Sequence, residues 1–205
     1  MDAALRAGIA LYNAGEHHAA HDPWEGEWLD LEAGTDDERL LHGLIQFTAA
    51  IYHARTGNWG GATGLAASAG DYLDGLDTPY RGVDVAAPRR AMATLATDPA
   101  VIERRRPPPL RYKRQRLRLA DLAFEGVAAA APAIAAEHEY DKATVDRAVA
   151  YAREEVASGD RTLFTGPLFE FVTAEEPNRA LVARRLRHHV DRRDREHDDA
   201  AGLFD

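Results

Sequence analysis

The segment from Thr35 to Gly57 constrains the fold of this chain more than any other. Thr35 is followed three residues later by Glu38, which is the capping-box pattern of a helix start, and Gly57 suits the position just after a helix end. From Leu40 to Ala54 every residue except His42, Gln46 and His53 is apolar or small. Because a helix that is apolar nearly all round is buried among other elements, the sequence predicts a helical bundle.

Helical patterns recur along the whole chain of 205 residues. Pro23 interrupts the second pattern, so that helix either kinks there or restarts at Asp22. The residues from Leu110 to Leu119 alternate in polarity, which favours a small hairpin. The predicted fold class is all-α, an antiparallel helical bundle with at most one short β-hairpin near residues 109–119. Further helices are predicted over 2–14, 16–31, 58–76, 88–96, 120–137, 142–157, 166–173 and 178–197.

Three segments are expected in the domain organisation. Residues 1–78 form a helical domain, residues 79–119 form a connector with short helices and the hairpin, and residues 120–205 form a C-terminal helical extension packed on the first unit. The fourth helix is rich in glycine, which favours close approach to a neighbouring helix and suggests a homodimer as one interpretation. These glycines are at positions 60, 61, 64, 70 and 75.

Composition excludes several classes of protein. The chain has no cysteine, which rules out disulfides and thiolate metal sites. The longest apolar run, Val127 to Ala136, is far shorter than the roughly 20 residues that cross a bilayer, so no membrane association is expected. The net charge is −9 and only two bases are lysines. This acidic, Lys-poor, Ala-rich composition is typical of cytoplasmic proteins of halophilic archaea, and a GC-rich genome is the alternative explanation.

Polar residues form one stripe on each of the second and third predicted helices. The connection between the two helices is short, so they should be antiparallel neighbours. That pairing places Glu25 near His42 and His21 near Gln46. The stripe of the second helix contains His17, His21, Glu25, Trp28 and Glu32, and that of the third contains His42, Gln46, Ala49 and His53.

Three interpretations of this cluster stay open. Imidazoles with a carboxylate can hold a divalent metal ion or serve as an acid–base pair, or they can simply hydrogen-bond to one another. If Glu25 and a histidine form a buried charged pair, removing Glu25 should destabilise the fold. Whether the protein is an enzyme is not decided. The metal candidates are His17, His21, Glu25, His42 and His53, and the catalytic candidates are His21, Glu25, Gln46 and His53.

Three stretches resemble a known family, the domain-of-unknown-function 309 family. They are Leu11–Trp28 (LYNAGEHHAAHDPWEGEW), Leu41–His53 (LHGLIQFTAAIYH) and Gly57–Ala62 (GNWGGA). The resemblance covers about residues 5–76 and implies an all-helical fold but no reaction. Residues 80–205 resemble the C-terminal extension of halophilic archaeal members. The signature that the resemblance implies contains His21, Asp22, Glu25, Trp28, Gln46, His53 and Asn58.

Basic residues concentrate in two later segments, residues 103–118 and the helix over 178–197. An arginine-rich hairpin that contains Tyr112 could bind phosphates or nucleic acid, which is the less favoured alternative because binding by charge alone weakens steeply in salt. The other interpretation is that these arginines pair with the acidic N-terminal half. The tail from Gly202 to Asp205 is either a docked end or a partner motif. The bases of the first segment are Arg104, Arg105, Arg106, Arg111, Lys113, Arg114, Arg116 and Arg118.

Overall fold

The computed structural model describes residues 1–159 and 163–201. Its contacts divide the chain into two compact units, Met1–Leu122 and Ala123–Asp205. The predicted boundaries at residues 78 and 119 stay a prediction, as does the packing of an extension on the first unit. The tail from Gly202 to Asp205 lies outside the described residues.

The all-α fold class is confirmed. The only paired strands among the described residues form the expected hairpin, in which Arg111 pairs with Arg116 and Tyr112 with Gln115. None of the described helices is long and apolar enough to span a membrane. The first unit contains α1 (Asp2–Ala14), α2 (His21–Trp28), α3 (Asp36–Arg55), α4 (Trp59–Leu73), α5 (Ala86–Thr97), α6 (Val101–Arg104), β1 (Arg111–Tyr112) and β2 (Gln115–Arg116).

Helix α3 is the central element of the first unit and packs on both α2 and α4. Leu40, Leu44 and Phe47 on this helix are fully buried, as its apolar sequence predicts. Tyr52 departs from the prediction, since about half of its surface is exposed. The Thr35 hydroxyl oxygen caps the helix by accepting a hydrogen bond from the backbone N–H of Glu38 at 3.3 Å.

Helix α2 is shorter than the predicted span of 16–31. It begins at His21, and residues 17–20 form turns before it. Pro23 is the third residue of the helix, so its missing N–H falls in the first turn, where no partner exists within the helix. The proline therefore fits the start of a helix and neither kinks a longer one nor serves as its first residue.

Within the chain, the close approach of α3 and α4 depends on Gly43 of α3, so the prediction that the α4 glycines allow it is wrong, while the homodimer stays a prediction. A Cβ added at Gly60, Gly64 or Gly70 would meet nothing within 4 Å. In contrast, a Cβ at Gly43 on α3 would lie 2.7 Å from Leu73 on α4. The small residues that α4 does bury are its alanines at positions 62, 66 and 69.

The second unit is a group of four helices with an apolar centre. Phe171, Leu168 and Leu186 are fully buried there. Arginines of the last helix pair with acids of this same unit, as in the Arg185–Glu170 ion pair. The helices are α7 (Phe124–Glu137), α8 (Lys142–Ser158), α9 (Thr165–Thr173) and α10 (Asn178–Ala201).

Substitution of Gly8 tests the packing of α1 on α2. A Cβ at Gly8 would lie 2.3 Å from the Trp24 ring, which is fully buried and whose indole N–H donates to the Leu5 carbonyl at 3.2 Å. We expect Gly8→Ala to lower the free energy of unfolding by about 1–3 kcal/mol through overpacking. Urea unfolding followed by tryptophan fluorescence measures this, because all three tryptophans lie in the first unit.

The matched control is Gly26→Ala, another helical position, where an added Cβ meets nothing within 4 Å. Alanine should leave stability unchanged or raise it by up to about 1 kcal/mol, because it has the higher helix propensity. Equal destabilisation by both substitutions would mean that Trp24 does not pack on Gly8.

Candidate functional site

Three polar side chains, Glu38, His42 and Gln46, lie along α3 at four-residue intervals, and we call them the Glu38 ladder. Glu38 is only 8% exposed. Its Oε1 accepts a hydrogen bond from the indole N–H of Trp28 at 2.8 Å and lies 3.1 Å from Nδ1 of His42. Its Oε2 accepts from the backbone N–H of Gly34 at 3.2 Å. One carboxylate therefore links α2, the turn that precedes α3, and α3 itself.

The hydrogen bonds around Glu38 keep it ionised. Burial alone raises the pKa of this carboxyl group, but the donors at Trp28, His42 and Gly34 together hold the pKa below its ordinary value. The ionised Glu38 accepts a hydrogen bond from Nδ1–H of His42, and Nε2 of the ring faces Gln46. The Gln46 amide nitrogen lies 2.9 Å from that Nε2 and can donate to it.

The His42 ring contacts two aromatic side chains. The ring centroid of Tyr72 lies 3.9 Å away in a stacked arrangement, and that of Trp28 lies 4.6 Å away. With both nitrogens hydrogen-bonded, the ring presents no free nitrogen to a substrate or metal ion. Acid–base chemistry at His42 would require Gln46 to move, so the geometry favours a ligand-orienting role over a catalytic one.

The Glu38 ladder opens onto a depression of about 590 Å³ between α3 and α4, which we call the α3–α4 depression. Asp71 and Ser68 have no side-chain hydrogen bond to any described residue, and neither does the Tyr72 hydroxyl. Arg39, in contrast, already contacts Asp36 at 3.3 Å. The depression is lined by Ala33, Gly34, Glu38, Arg39, His42, Ser68, Asp71 and Tyr72.

A second histidine cluster lies at the start of α2. Nε2 of His21 forms a hydrogen bond with the Thr48 hydroxyl, and the His17 ring packs on Tyr12 at 5.0 Å. The pKa of each imidazole is lowered to about 4, mainly by burial, and the positive charge of Arg55 contributes to the lower pKa of His17. Both histidines are therefore neutral near pH 7. Nδ1 of His17 is buried and has no partner among the described residues.

The expected contact between Glu25 and His42 is wrong. Glu25 is exposed, and Trp28 takes the place beside His42. The two tryptophans of α2 occupy its inward face, and Glu25 follows Trp24 by one residue, a rotation of about 100° away from that face. The buried carboxylate is Glu38, which the capping-box interpretation had placed at the helix end.

The remaining predicted site residues do not form a single cluster. His21 meets Thr48 and not Gln46, and His53 accepts a hydrogen bond from the Asn58 amide at 2.8 Å at the start of α4. Within the described ranges, no three His, Asp or Glu side chains converge as a metal ion requires. The divalent metal stays a prediction. The structure adds Tyr12, Glu38, Thr48 and Tyr72, which the sequence patterns did not place in the cluster.

Four of the eight basic residues of the predicted nucleic-acid segment donate to nearby groups, namely Arg104, Arg111, Arg116 and Arg118. Arg104 pairs with Asp98, and Arg118 pairs with Asp121 at 3.0 Å. The guanidinium of Arg116 donates to the Asn13 carbonyl at 2.8 Å. These contacts lie within the first unit, and nucleic-acid binding stays a prediction.

Comparison with known protein families finds a match in the N-terminal part of the chain. Residues 5–65 match the family described as domain of unknown function (DUF309). This match supports the resemblance seen in the motifs around His21 and Gln46, and it contains the whole Glu38 ladder. No curated protein matches the chain. The function of the protein is therefore unknown.

Replacement of Glu38 tests whether the ladder is a buried charged network. We expect Glu38→Gln to lower the free energy of unfolding at pH 7 by about 1–3 kcal/mol, because an amide group faces the Gly34 N–H with its own donor. The stabilisation by Glu38 is present above the unfolded pKa of about 4.5 and is lost as the pH falls through the depressed folded pKa. The difference between the two proteins should therefore shrink in acid.

The matched control is Glu25→Gln, the same chemical change at an exposed position. Its free energy of unfolding should stay within about 0.5 kcal/mol of the parent protein. A Glu38 variant as stable as this control at pH 7 would contradict the network.

The partly buried residues His17 and His21 predict that stability also depends on pH in a second, higher range. Between pH 6.5 and about 4 the unfolded chain binds more protons than the folded one at His17 and His21, so stability falls as the pH falls through that window. The loss is on the order of 2 kcal/mol for the pair, since partial exposure weakens the effect. The double variant His17→Gln with His21→Gln should show a flatter profile by tryptophan fluorescence. An unchanged slope would show that neither ring resists protonation.

Proposed function

We propose that the first unit binds a small molecule carrying a cationic group in the α3–α4 depression. The observation that carries the proposal is the set of unpaired polar groups, Asp71, Ser68 and the Tyr72 hydroxyl, beside the ionised Glu38. Polar side chains that converge on a concavity without protein partners are typical of ligand sites.

The charge of the depression favours a cation. Glu38 and Asp71 contribute two carboxylates, and the single guanidinium of Arg39 is already engaged by Asp36. The Tyr72 ring adds an aromatic surface on which a cation can rest. An anionic ligand would meet an excess of negative charge, so it should bind weakly.

Ligand binding is favoured over catalysis and over the metal site. Both ring nitrogens of His42 are used by Glu38 and Gln46, which leaves no imidazole free to accept a substrate proton. Glu38 in this proposal supplies charge and holds His42 and Trp28 in place.

The surface chemistry supports a further proposal, that the protein works in concentrated salt inside a halophilic cell. Many carboxylates of the first unit are exposed, including Asp22, Asp30 and Glu32. Such a surface stays hydrated when salt screens the repulsion between its charges. The origin and the cytoplasmic location stay predictions.

Titration with three four-carbon probes tests the cation site: putrescine, butane-1,4-diol and succinate. We expect putrescine to cause saturable shifts in the amide NMR signals of Ser68, Asp71 and Tyr72, whereas the diol and succinate do not. The variant Asp71→Asn should weaken putrescine binding by about tenfold, the loss expected for one charge-assisted hydrogen bond.

The matched control is Asp77→Asn, which makes the same change at an exposed residue outside the depression. Equal weakening by both variants would indicate attraction to the acidic surface as a whole. Binding of succinate in preference to putrescine would overturn the proposal.

A further inference from the structure

An apolar groove lies on another part of the first unit, and we call it the α5–α6 groove. It is bounded by α5, by α6 and by the prolines that follow α6, Pro107 and Pro108. Its volume is about 290 Å³. Met92 and Leu95 of α5 form its floor together with Ile51 of α3, and all three are nearly fully buried. Val101 and Ile102 of α6 form part of its wall.

Three arginines, Arg90, Arg105 and Arg106, lie around this groove, and all three are exposed. None of them forms an ion pair with a described residue, whereas their neighbours Arg89 and Arg104 pair with Asp74 and Asp98. No carboxylate is among the residues that line the groove. These unpaired guanidiniums surround an apolar surface in a unit of net negative charge, since residues 1–122 contain 17 acids and 14 bases.

We propose that the α5–α6 groove binds an anionic amphiphile, a small molecule with one carboxylate or phosphate head and an apolar chain. The chain would lie along Met92, Leu95 and Ile102, where burial of its methylenes is favourable. The head would bind the guanidiniums of Arg105 and Arg106, whose planar donors match carboxylate and phosphate oxygens.

The residues that line the groove favour a small ligand over a nucleic acid or a protein partner. Nucleic acid binding without sequence preference uses aromatic side chains on which bases stack, and the groove contains no Phe, Tyr or Trp. A stable protein partner covers about 800 Å² of each surface, whereas a groove of 290 Å³ is close to the lower limit of small-molecule pockets. The charge preference is also opposite to that of the α3–α4 depression.

Binding of ten-carbon probes below their aggregation concentrations tests the proposal on the full chain. We expect decanoate or decyl phosphate to bind saturably by calorimetry, and the stronger of the two identifies the head group. Decanol and decyltrimethylammonium should bind at least about tenfold more weakly, because they lack the charge that the arginines recognise. Amide NMR signals of residues 90–106 should shift in the complex.

Variants separate the groove from general surface charge. The double change Arg105→Gln with Arg106→Gln should weaken anion binding about tenfold or more, and Ile102→Gln should weaken it through the apolar wall. Arg111→Gln removes a positive charge from an exposed hairpin position outside the groove and should have no effect. Equal binding of the cationic probe, equal loss with Arg111→Gln, or saturable binding of an acidic peptide without binding of either anion would overturn the proposal.

Discussion

The buried carboxylate of Glu38 is the interaction on which the N-terminal site depends. A carboxylate removed from water is unfavourable unless donors replace its hydration. Here the donors come from Trp28 on α2, from the Gly34 backbone before α3, and from His42 on α3. Because these groups belong to different elements, the carboxylate is satisfied only when all of them are in place.

The same interaction fixes the properties of its neighbours. Glu38 lies in the first turn of α3, where the helix dipole also favours a negative charge. It sets the tautomer of His42, which determines how Gln46 is bound, and it orients the Trp28 ring that contacts His42. The Glu38 carboxylate therefore contributes negative charge to the α3–α4 depression and positions the His42 ring that stacks on Tyr72.

Helices and their ends could be predicted from sequence where the signal is local. Thr35 and Asn58 cap α3 and α4 as their positions suggest, and Gly15 ends α1 in the left-handed conformation. Side-chain direction on α2 could not be predicted so well. Glu25 and Trp28 both fit one stripe in projection, and only the packing of α2 between α1 and α3 decides which of them is buried.

The role of Glu38 shows why the candidate site was predicted only in part. The sequence indicates His42 and Gln46 because polar side chains on a buried helix need hydrogen-bond partners. Glu38 lies on the same line one turn earlier, but its local role as part of a capping box explained it fully. In the structure its backbone N–H is bound by Thr35, while its carboxylate bonds to Gly34 and not to the N–H of Thr35. The Glu38 side chain therefore makes a tertiary contact in place of the second hydrogen bond that the capping-box pattern predicts.

Net charge is a poor guide to what this chain binds, because its local surfaces differ in sign. The α3–α4 depression combines carboxylates with an arginine that is already paired, while the α5–α6 groove combines apolar residues with arginines that are not. Both lie in the same unit, whose 17 acids and 14 bases give a net charge of −3. Screening by salt acts strongly on charges that are separated across a surface and much less on groups in direct contact. In the two proposals a ligand is therefore selected by the few side chains that lack a partner among the described residues, and these are acidic in one place and basic in the other.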